Sequence, residues 1–424
     1  MENVWRKIKI VFTDKSLRKK ILFVLLALVI FRLLANIPVP GIGALELGRV
    51  LNNNQFLGIL NIFSGGGLSN LSVMMLGVGP YITSSIIMQL LGFMVPAVKR
   101  MQQEEGEIGR KKLSQYTRLL TIPLAIVQGL SLLALLKNQG LIGDMTLFQH
   151  FASVSIIVAG SMLLMWIGEL ISEFGIGNGV SLIIFAGIVA GLPGSVSQFL
   201  FTFEPSQLPL YILLFAIGLL IVAGVVVVTE AERPIHVTYA KQIRGAGATS
   251  GGASTYIPLR VNQAGVIPII FALSILIFPQ MIGSLLSSSS IGILQSISRG
   301  LIWFSGATWL YSIVYFIFVF IFTYFYTAVT FDPNQLAENL QKNGAFVPGI
   351  RPGTATRDYI SHILNRITLV GAVFLGIIAV LPLIIKSITN ISAFAVGGTA
   401  LLIVVSVVLD LVKKIEAQLS MREY

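Results

Sequence analysis

The sequence predicts an all-α, polytopic membrane protein with ten transmembrane helices in two inverted five-helix halves around a central cavity. The first observation is composition: the 424 residues are 55% hydrophobic and 11% charged, whereas soluble domains are about 25% charged. The second is a series of ten apolar runs of membrane-spanning length. The third is a glycine-rich break between two of these runs, and such a break survives at membrane depth only inside protein or beside an aqueous cavity.

The chain begins with a basic segment, residues 1–20, which ends on Lys19-Lys20. An apolar run follows, and no small-residue cleavage site appears after it. We therefore expect a cytoplasmic N-terminal segment and a first membrane anchor rather than a removed signal peptide.

The stretch Phe63 to Leu91 is one element that is broken in the middle. Its first half, Ser64 to Ser69, is small and rich in glycine, so it is too short to span and predicts at most a loose half-helix. The second half starts at Gly79-Pro80, with proline in the first turn, where its missing N–H costs nothing. This second half predicts a helix of roughly membrane length.

The apolar runs predict ten spans in order along the chain. They lie near Ile21 to Ile37, Pro80 to Pro96, Leu119 to Leu136, Val154 to Ile171, Val180 to Leu200, Leu210 to Val228, Ala264 to Leu285, Trp309 to Thr327, Ile367 to Ile385 and Phe394 to Leu411.

Ten spans divide into an N-terminal half, 21–201, and a C-terminal half, 202–412, followed by a tail, 413–424. An odd number of spans in each half forces the halves into opposite orientations. The second and seventh spans begin alike, with Gly77-Val78-Gly79-Pro80 and Gly265-Val266-Ile267-Pro268, which is a faint sign of a repeat.

The distribution of lysine and arginine among the loops predicts the orientation of the chain in the membrane. An even number of spans puts both termini on one side, and the loops on that side carry most of the basic residues that produce the net charge of +11. The opposite loops carry only Arg49, Lys137, Arg299 and Lys386. Because cytoplasmic loops are enriched in lysine and arginine, both termini are predicted to be cytoplasmic.

Several chemistries are excluded or disfavoured. The chain has no cysteine, and His150, His236 and His362 lack the spacing of metal ligands. The pair Gly-Lys does not occur, so there is no P-loop, and no nucleophile elbow is present. The sequence therefore predicts neither an enzyme nor a metal or cofactor site.

Two other membrane functions compete on the residues alone. A secondary transporter shares inverted repeats and broken helices, but it usually needs charged groups at the midplane. Glu169 and Asp410 lie near cytoplasmic span ends, and the span centres otherwise lack carboxylates, which disfavours a transporter. An intramembrane scaffold without a pore would not need the broken element.

An ordered set of motifs resembles one family, the SecY subunit of the bacterial protein-conducting channel and its Sec61-alpha relatives. The motifs are Ile37-Pro38-Val39-Pro40-Gly41, the Phe63 to Leu91 element, Met165 to Glu169 with Gly175 to Ser181, Ile184 to Pro193, Ala264 to Ala272, Gly344 to Gly353 and Gly397 to Val405. They cover nearly the whole chain in the family's order.

The resemblance implies a clam shell of two halves around an hourglass pore in the bacterial cytoplasmic membrane. It implies a plug at about 63–73, comprising Phe63, Ser64, Gly65, Gly66, Gly67, Leu68, Ser69 and Asn70, small and weakly held; an ordinary re-entrant loop is the alternative. It implies a pore ring of Val78, Ile82, Val180, Ile184, Ile270 and Ile403. It also implies a lateral gate between the second and seventh spans, with Thr83, Ile86, Ile87, Gln89, Leu90, Ile267, Leu273 and Ile277.

The resemblance further assigns two cytoplasmic loops, 230–262 and 330–366, to docking of the SecA ATPase or the translating ribosome. Lys241, Arg244 and above all Arg351, between the turns Pro348-Gly349 and Pro352-Gly353, are the expected contacts. The tip Gly245 to Ser254 is uncharged, so it offers no basic side chain to ribosomal RNA. Other implied partners are SecE, SecG, secretory preproteins, nascent membrane proteins and membrane lipids.

The segment Ile282 to Ser298 resembles a surface-lying helix, and it carries no recognisable motif.

Overall fold

The structure, a computed structural model, is described for part of the chain. The described residues are 14–40, 57–58, 60–61, 64–103, 105–143, 145–201, 205–239, 243–244, 248–249, 254–287, 291–389 and 392–420. The helices are α1 Lys15–Leu34, α2 Gly79–Met94, α3 Pro96–Gln103, α4 Gly106–Asn138, α5 Leu147–Phe174, α6 Gly179–Phe201, α7 Leu208–Glu230, α8 Ile267–Ser287, α9 Gly292–Gly306, α10 Thr308–Thr330, α11 Pro333–Lys342, α12 Thr354–Thr389 and α13 Ser392–Ser420. The strands are β1 Glu232–Tyr239, β2 Ile243–Arg244, β3 Ala248–Thr249, β4 Ser254–Arg260 and β5 Ala345–Phe346.

Each predicted span coincides with one long helix, apart from a few residues at the ends. The predicted first span extended to Ile37, whereas α1 ends at Leu34 and is capped by Ala35. Among the described residues, six helical stretches, in α4, α5, α7, α8, α10 and α12, are long and apolar enough to cross a membrane by length and composition. The molecule is thus a largely helical, multi-pass membrane protein, and the count of ten crossings stays a prediction.

The chain forms two compact units. The first comprises Met1–Leu214, Leu273–Ser312 and Pro382–Tyr424, and the second comprises Phe215–Ala272 and Ile313–Leu381. Helix α8 contributes residues to both. The predicted division of the chain at residue 201 remains a prediction.

In the first unit, the first and last of the described helices meet. Leu17, near the start of α1, and Leu419, near the end of α13, are buried against Ile176 in the connection between α5 and α6. Asp14 caps α1, and its Oδ1 accepts hydrogen bonds from the backbone N–H of Ser16 at 2.7 Å and of Leu17 at 3.2 Å. The contact puts the start of α1 beside the end of α13, as an even number of crossings requires.

Polar groups also join the helices of the first unit. The Ser84 hydroxyl on α2 donates to the Thr117 carbonyl on α4 at 2.6 Å, and the Ser161 hydroxyl on α5 donates to the Gly77 carbonyl at 2.9 Å. Both bonds are buried, where a lost partner leaves a polar group unsatisfied. They fix the start of α2 relative to α4 and α5.

An ion pair ties α4 to α5. The Arg118 guanidinium approaches the Glu169 carboxylate with two nitrogens, Nε to Oε1 at 3.0 Å and Nη2 to Oε2 at 2.9 Å. The Glu169 side chain is 16% exposed, and the Ser114 hydroxyl adds a longer contact of 3.4 Å to Oε1. The sequence analysis located Glu169 near the end of a span but did not identify Arg118 on α4 as its partner.

We expect Glu169→Gln to destabilise the protein by about 1–2 kcal/mol, because the half-buried Arg118 then loses its charged acceptor. Thermal unfolding in detergent is the measurement. The matched control is Glu107→Gln, which removes an exposed pair with Lys111 (3.7 Å) and should change stability little. Equal shifts for the two variants would contradict the structural role of the Arg118–Glu169 pair.

The second unit contains a small sheet that the all-α prediction did not include. Its strand order is β4-β1-β5, and β1 pairs antiparallel with β4 in the register Ile235↔Ile257. Strand β5, from the other predicted cytoplasmic loop, pairs with the end of β1 at Thr238↔Phe346. The two predicted docking loops are therefore hydrogen-bonded to each other.

A hydrophobic core lies under this sheet. It combines side chains from β1 and β4 with others from α11, β5 and the start of α12, namely Ile235, Val237, Leu259, Leu340, Ala345, Val347, Ile360 and Ile363. We call the sheet, α11 and the first turns of α12 the platform. Because one core holds it together, the platform presents the residues between β5 and α12 on a rigid base.

The boundaries of the predicted surface helix were wrong. Residues Ile282 to Ser287 continue α8, and the amphipathic helix is α9, which starts at Gly292 and ends at Gly306. Helix α8 thus ends at the first residue of the serine run 287–290, two residues beyond the predicted end of the seventh span. Because Ser287 is the last residue of α8, the surface helix does not begin at Ile282.

Candidate functional site

The predicted plug is compact but is not a half-helix. Described helical residues occur at 57–58 and 60–61, and the described residues from Ser64 to Val78 form turns, interrupted by a β-bridge between Ser72 and Pro38. Gly65 and Gly66 have positive φ angles of 65° and 83°, which glycine adopts without strain and which end a helix. Phe63 lies outside the described residues.

The plug segment satisfies its own polar groups. The N–H of Leu68 donates to the hydroxyl of the fully buried Ser64 at 3.0 Å, and the N–H of Ser72 donates to the Gly67 carbonyl at 2.8 Å. The side chain of Asn61 accepts from the Ser69 N–H at 3.0 Å. The turns are therefore held by internal hydrogen bonds rather than by a helical ladder.

A few bonds attach the plug to the end of α1. The Val39 N–H donates to the Leu71 carbonyl, and the Val73 N–H donates to the Ile37 carbonyl, both at 2.9 Å. The Asn70 amide donates to the Asn36 side-chain oxygen at 3.0 Å. The segment thus has specific hydrogen bonds and two fully buried large side chains, Leu68 and Leu71, and its weak attachment stays a prediction.

The seat of the plug centres on Gly65, where three elements converge. A Cβ atom on Gly65 would overlap the Phe31 ring of α1, and one on Gly187 of α6 would overlap the Gly65 backbone. Arg32 of α1 donates from Nη1 to the Gly65 carbonyl at 3.2 Å. Only glycine at these two positions permits so close an approach.

Sequence reasoning missed the seat residues Phe31, Arg32 and Gly187. One signal was available for Arg32, which is the one charged residue within the first apolar run. An ionisable side chain inside a span is costly and is usually retained for a specific contact. No local pattern distinguishes Gly187 from the other small residues of α6.

The predicted pore-ring residues are mostly buried. In the first unit, Val78, Ile82, Ile184 and Ile403 have 4% exposure or less, whereas Val180 is partly buried and lies beside Gly168 of α5. In the second unit, Ile270 is 4% exposed. Their assembly into one ring stays a prediction.

The predicted gate residues lie on α2 and α8. On α2, Thr83 and Ile86 are buried, Ile87 and Leu90 are half-buried, and the Gln89 amide donates to the Ser85 hydroxyl at 3.1 Å. On α8, Leu273 and Ile277 are buried and Ile267 is half-buried. The Thr83 hydroxyl donates to the Gly79 carbonyl of its own helix at 3.0 Å, so its hydrogen is used within α2.

Arg351 stands on the platform as an exposed tip. Gly349 and Gly353 on either side have φ angles of 81° and 99°, as the two Pro-Gly turns predicted. The hydroxyl of the buried Thr356 donates to the Arg351 carbonyl at 2.9 Å, which fixes the backbone. None of the described ion pairs includes Arg351.

The other two predicted docking residues are less defined. Lys241 lies outside the described residues. Arg244 ends β2, whose pairing with β3 in the register Arg244↔Ala248 forms a small hairpin.

Comparison with known proteins gives consistent matches. A family model described as SecY matches residues 72–412. The protein translocase subunit SecY of Halalkalibacterium halodurans is 42% identical over 431 residues, which cover 99% of both chains. That of Thermotoga maritima is 40% identical over 432 residues, which cover 99% of this chain and 97% of the relative.

Solved channel structures share the fold. A SecY structure described as showing that the plug domain stabilises the closed state of the translocation channel has a TM-score of 0.63 at 21% identity, covering 95% of this chain and 93% of that one. The idle yeast Ssh1 complex bound to the yeast 80S ribosome has a TM-score of 0.64 at 15% identity, covering 93% of this chain and 89% of that one.

Proposed function

The chain belongs to the SecY family, and we propose that it is the channel subunit through which unfolded secretory polypeptides cross the membrane. The observation that carries this proposal is the buried, glycine-rich plug, seated on α1 and α6 in a chain that matches the family over residues 72–412. As a channel subunit it is not an enzyme, so the work of moving a chain has to come from a partner or from the membrane potential.

The resting channel is closed by two elements. We propose that Val78, Ile82, Val180, Ile184, Ile270 and Ile403 form an aliphatic ring and that residues 63–73 plug it. An ion entering a dry aliphatic ring loses hydration and gains no ligand, so the closed state resists ion flow. The ring offers no hydrogen-bond donors, so a passing polypeptide with varied side chains is not trapped.

Hydrophobic segments leave the channel sideways. We propose that α2 and α8 separate to admit a signal sequence or transmembrane segment, which then partitions into lipid according to its apolarity. The buried Ile86, Leu273 and Ile277 would become the surface that the incoming helix contacts.

The platform provides the docking surface. We propose that Arg351, with Lys241 and Arg244, contacts the SecA ATPase or a translating ribosome, because arginine and lysine pair with carboxylates and with RNA phosphates. Ribosome-bound channels among the structural neighbours support a translocon role for the fold. SecE and SecG are the further subunits that we propose to flank the chain.

We propose the bacterial cytoplasmic membrane as the location, with both termini in the cytoplasm. The excess of lysine and arginine in the loops on that side supports the orientation. The packing of Leu17 near Leu419 supports termini on the same side.

The absence of native cysteine permits a direct test of the pathway. With Ile82→Cys or Ile270→Cys, a secretory precursor that carries one cysteine and is stalled in mid-transit should form a disulfide with the channel, because both positions would line the path. Crosslinking under oxidation, with SecA and ATP supplied, is the measurement.

The matched control is Leu220→Cys on α7, where the side chain is 73% exposed on the apolar helix and should not meet the precursor. Failure of every ring position to crosslink, with stalling verified by protease protection, would reject the ring. Uptake assays for small solutes would then test the transporter alternative.

A further inference from the structure

Helix α9 is tied at both ends to membrane-crossing helices. It begins at Gly292, shortly after α8 ends at Ser287, and it ends at Gly306, just before α10 begins at Thr308. Both α8 and α10 are long and apolar enough to cross a membrane. These short connections keep α9 at one face of the bilayer.

One side of α9 packs tightly against the end of α8. The hydroxyl of the buried Ser298 donates to the Gly283 carbonyl at 2.7 Å. A Cβ atom on Gly283 would lie 3.1 Å from Ile302 Cγ1 and 3.3 Å from Leu301 Cβ, which is tighter than ordinary contact. The two helices are therefore in close contact at this crossing.

A second side of α9 is apolar and exposed. Ile293 is 73% exposed and Ile297 is 48% exposed, and with Phe304 they follow the spacing of one helical stripe. The exposed Gln295 and Arg299 lie on the opposite side of the helix. A helix with separate apolar and polar faces is typical of the membrane interface.

Two exposed tryptophans lie in α9 and at the start of α10, close to the apolar stripe in the sequence. Two of the four tryptophans of the chain, Trp303 in α9 and Trp309 at the start of α10, are 64% and 67% exposed. Exposed tryptophan is enriched where the headgroups meet the acyl chains, because its ring is apolar and its N–H needs a polar partner. The exposed apolar stripe and the aromatic pair thus indicate lipid as the occupant.

We propose that α9 lies in the lipid interface of the leaflet opposite the chain termini, with Ile293 and Ile297 facing the acyl chains, and holds the end of α8 at a fixed depth through Gly283. The inference rests on the proposed membrane topology and identifies the lipid surface as a partner of the predicted gate helix. In this placement, the apolar stripe of α9 contacts the acyl chains of the lipids, and Arg299 contacts their headgroups.

Collision accessibility of a nitroxide label tests the placement. Four single-cysteine variants, Ile293→Cys, Ile297→Cys, Gln295→Cys and Arg299→Cys, are labelled and reconstituted with the other channel subunits into phosphatidylethanolamine and phosphatidylglycerol vesicles. Labels at 293 and 297 should collide several-fold more with oxygen than with a water-soluble nickel chelate. Labels at 295 and 299 should show the reverse preference.

Two reference sites calibrate the result: Leu220→Cys for lipid and Glu107→Cys, whose side chain is 85% exposed, for water. Nickel accessibility at 293 and 297 equal to that at 107 would overturn the proposal, since α9 would then stand in water. Exclusion of both reagents would overturn it equally, since a protein would cover the stripe. Preprotein uptake, measured in the same vesicles, separates failure of this placement from failure of the proposed channel.

A second experiment tests the coupling to α8. Gly283→Val should alter the depth of the label at 293, because the added methyl groups would meet Leu301 and Ile302. Gly300→Val is the matched control, because a Cβ atom there meets no atom within 4 Å. An unchanged depth in Gly283→Val, or equal changes in both variants, would reject the coupling.

Discussion

Replacing Gly187 by leucine is expected to make the resting channel leak ions. Even a Cβ atom at this position overlaps the Gly65 backbone, so the leucine side chain and the plug cannot occupy the seat together. A steric misfit of about 1.5–3 kcal/mol would raise the unseated population about 10- to 100-fold. Conductance in planar bilayers, measured without precursor or motor, is the test.

Gly191 provides a matched control one turn along α6. A Cβ atom at Gly191 meets no atom within 4 Å, so Gly191→Leu adds the same side chain to the same helix and should leave the seal intact. A tight seal in Gly187→Leu, with normal insertion of the protein, would contradict the seat. An equal leak in both variants would point to a general disturbance of α6 instead.

The arrangement of hydrogen bonds supports the proposal that the plug is ordered at rest and can be displaced as a unit. Most of its bonds are internal, such as Leu68 to Ser64 and Ser72 to Gly67, and they can survive displacement. Four described hydrogen bonds tie it to α1 and the residues that follow α1: Arg32 to the Gly65 carbonyl, Asn70 to Asn36, Val39 to the Leu71 carbonyl, and Val73 to the Ile37 carbonyl. A net hydrogen bond contributes about 1 kcal/mol, so breaking these four bonds costs on the order of 4 kcal/mol, which a partner or an incoming polypeptide would have to supply.

The helices were predictable because each carries its own signal. Apolar runs of membrane length located α1, α2, α4 to α8, α10, α12 and α13, and Asp332-Pro333 marked the start of α11 correctly. These features depend on a window of sequence and on the bilayer thickness. They need no knowledge of what the helix packs against.

The plug seat and the sheet depend on contacts between distant segments. The close approach of Gly65 to Gly187 joins a turn to a later helix, and although the glycine-rich run marks Gly65, no local pattern distinguishes Gly187. Strand β1 alternates only weakly, with Ile235 and Val237 buried, and its partner β5 belongs to another loop. The alternation of apolar residues in β1 could have indicated a strand. Nothing in the local sequence indicated that this strand pairs with β5.

Reversing the charge of Arg351 is expected to abolish most motor-driven translocation. In the proposed docking, the exposed tip would offer its guanidinium to a carboxylate of the motor, and Arg351→Glu would place like charges together there. Loss of such a pair costs about 2–5 kcal/mol of binding free energy, which corresponds to a roughly 30-fold or greater loss of affinity. SecA binding and ATP-dependent uptake of preprotein into vesicles are the measurements.

Lys342 on α11 tests whether position or net charge matters. Lys342→Glu makes the same change in charge on the same platform, but its side chain is 71% exposed and already pairs with Glu338 at 3.4 Å. Because an exposed pair contributes little, this variant should retain nearly full uptake. Equal defects would mean that the platform acts as a diffuse positive field, whereas a defect confined to Arg351→Glu would indicate that the motor recognises the tip itself.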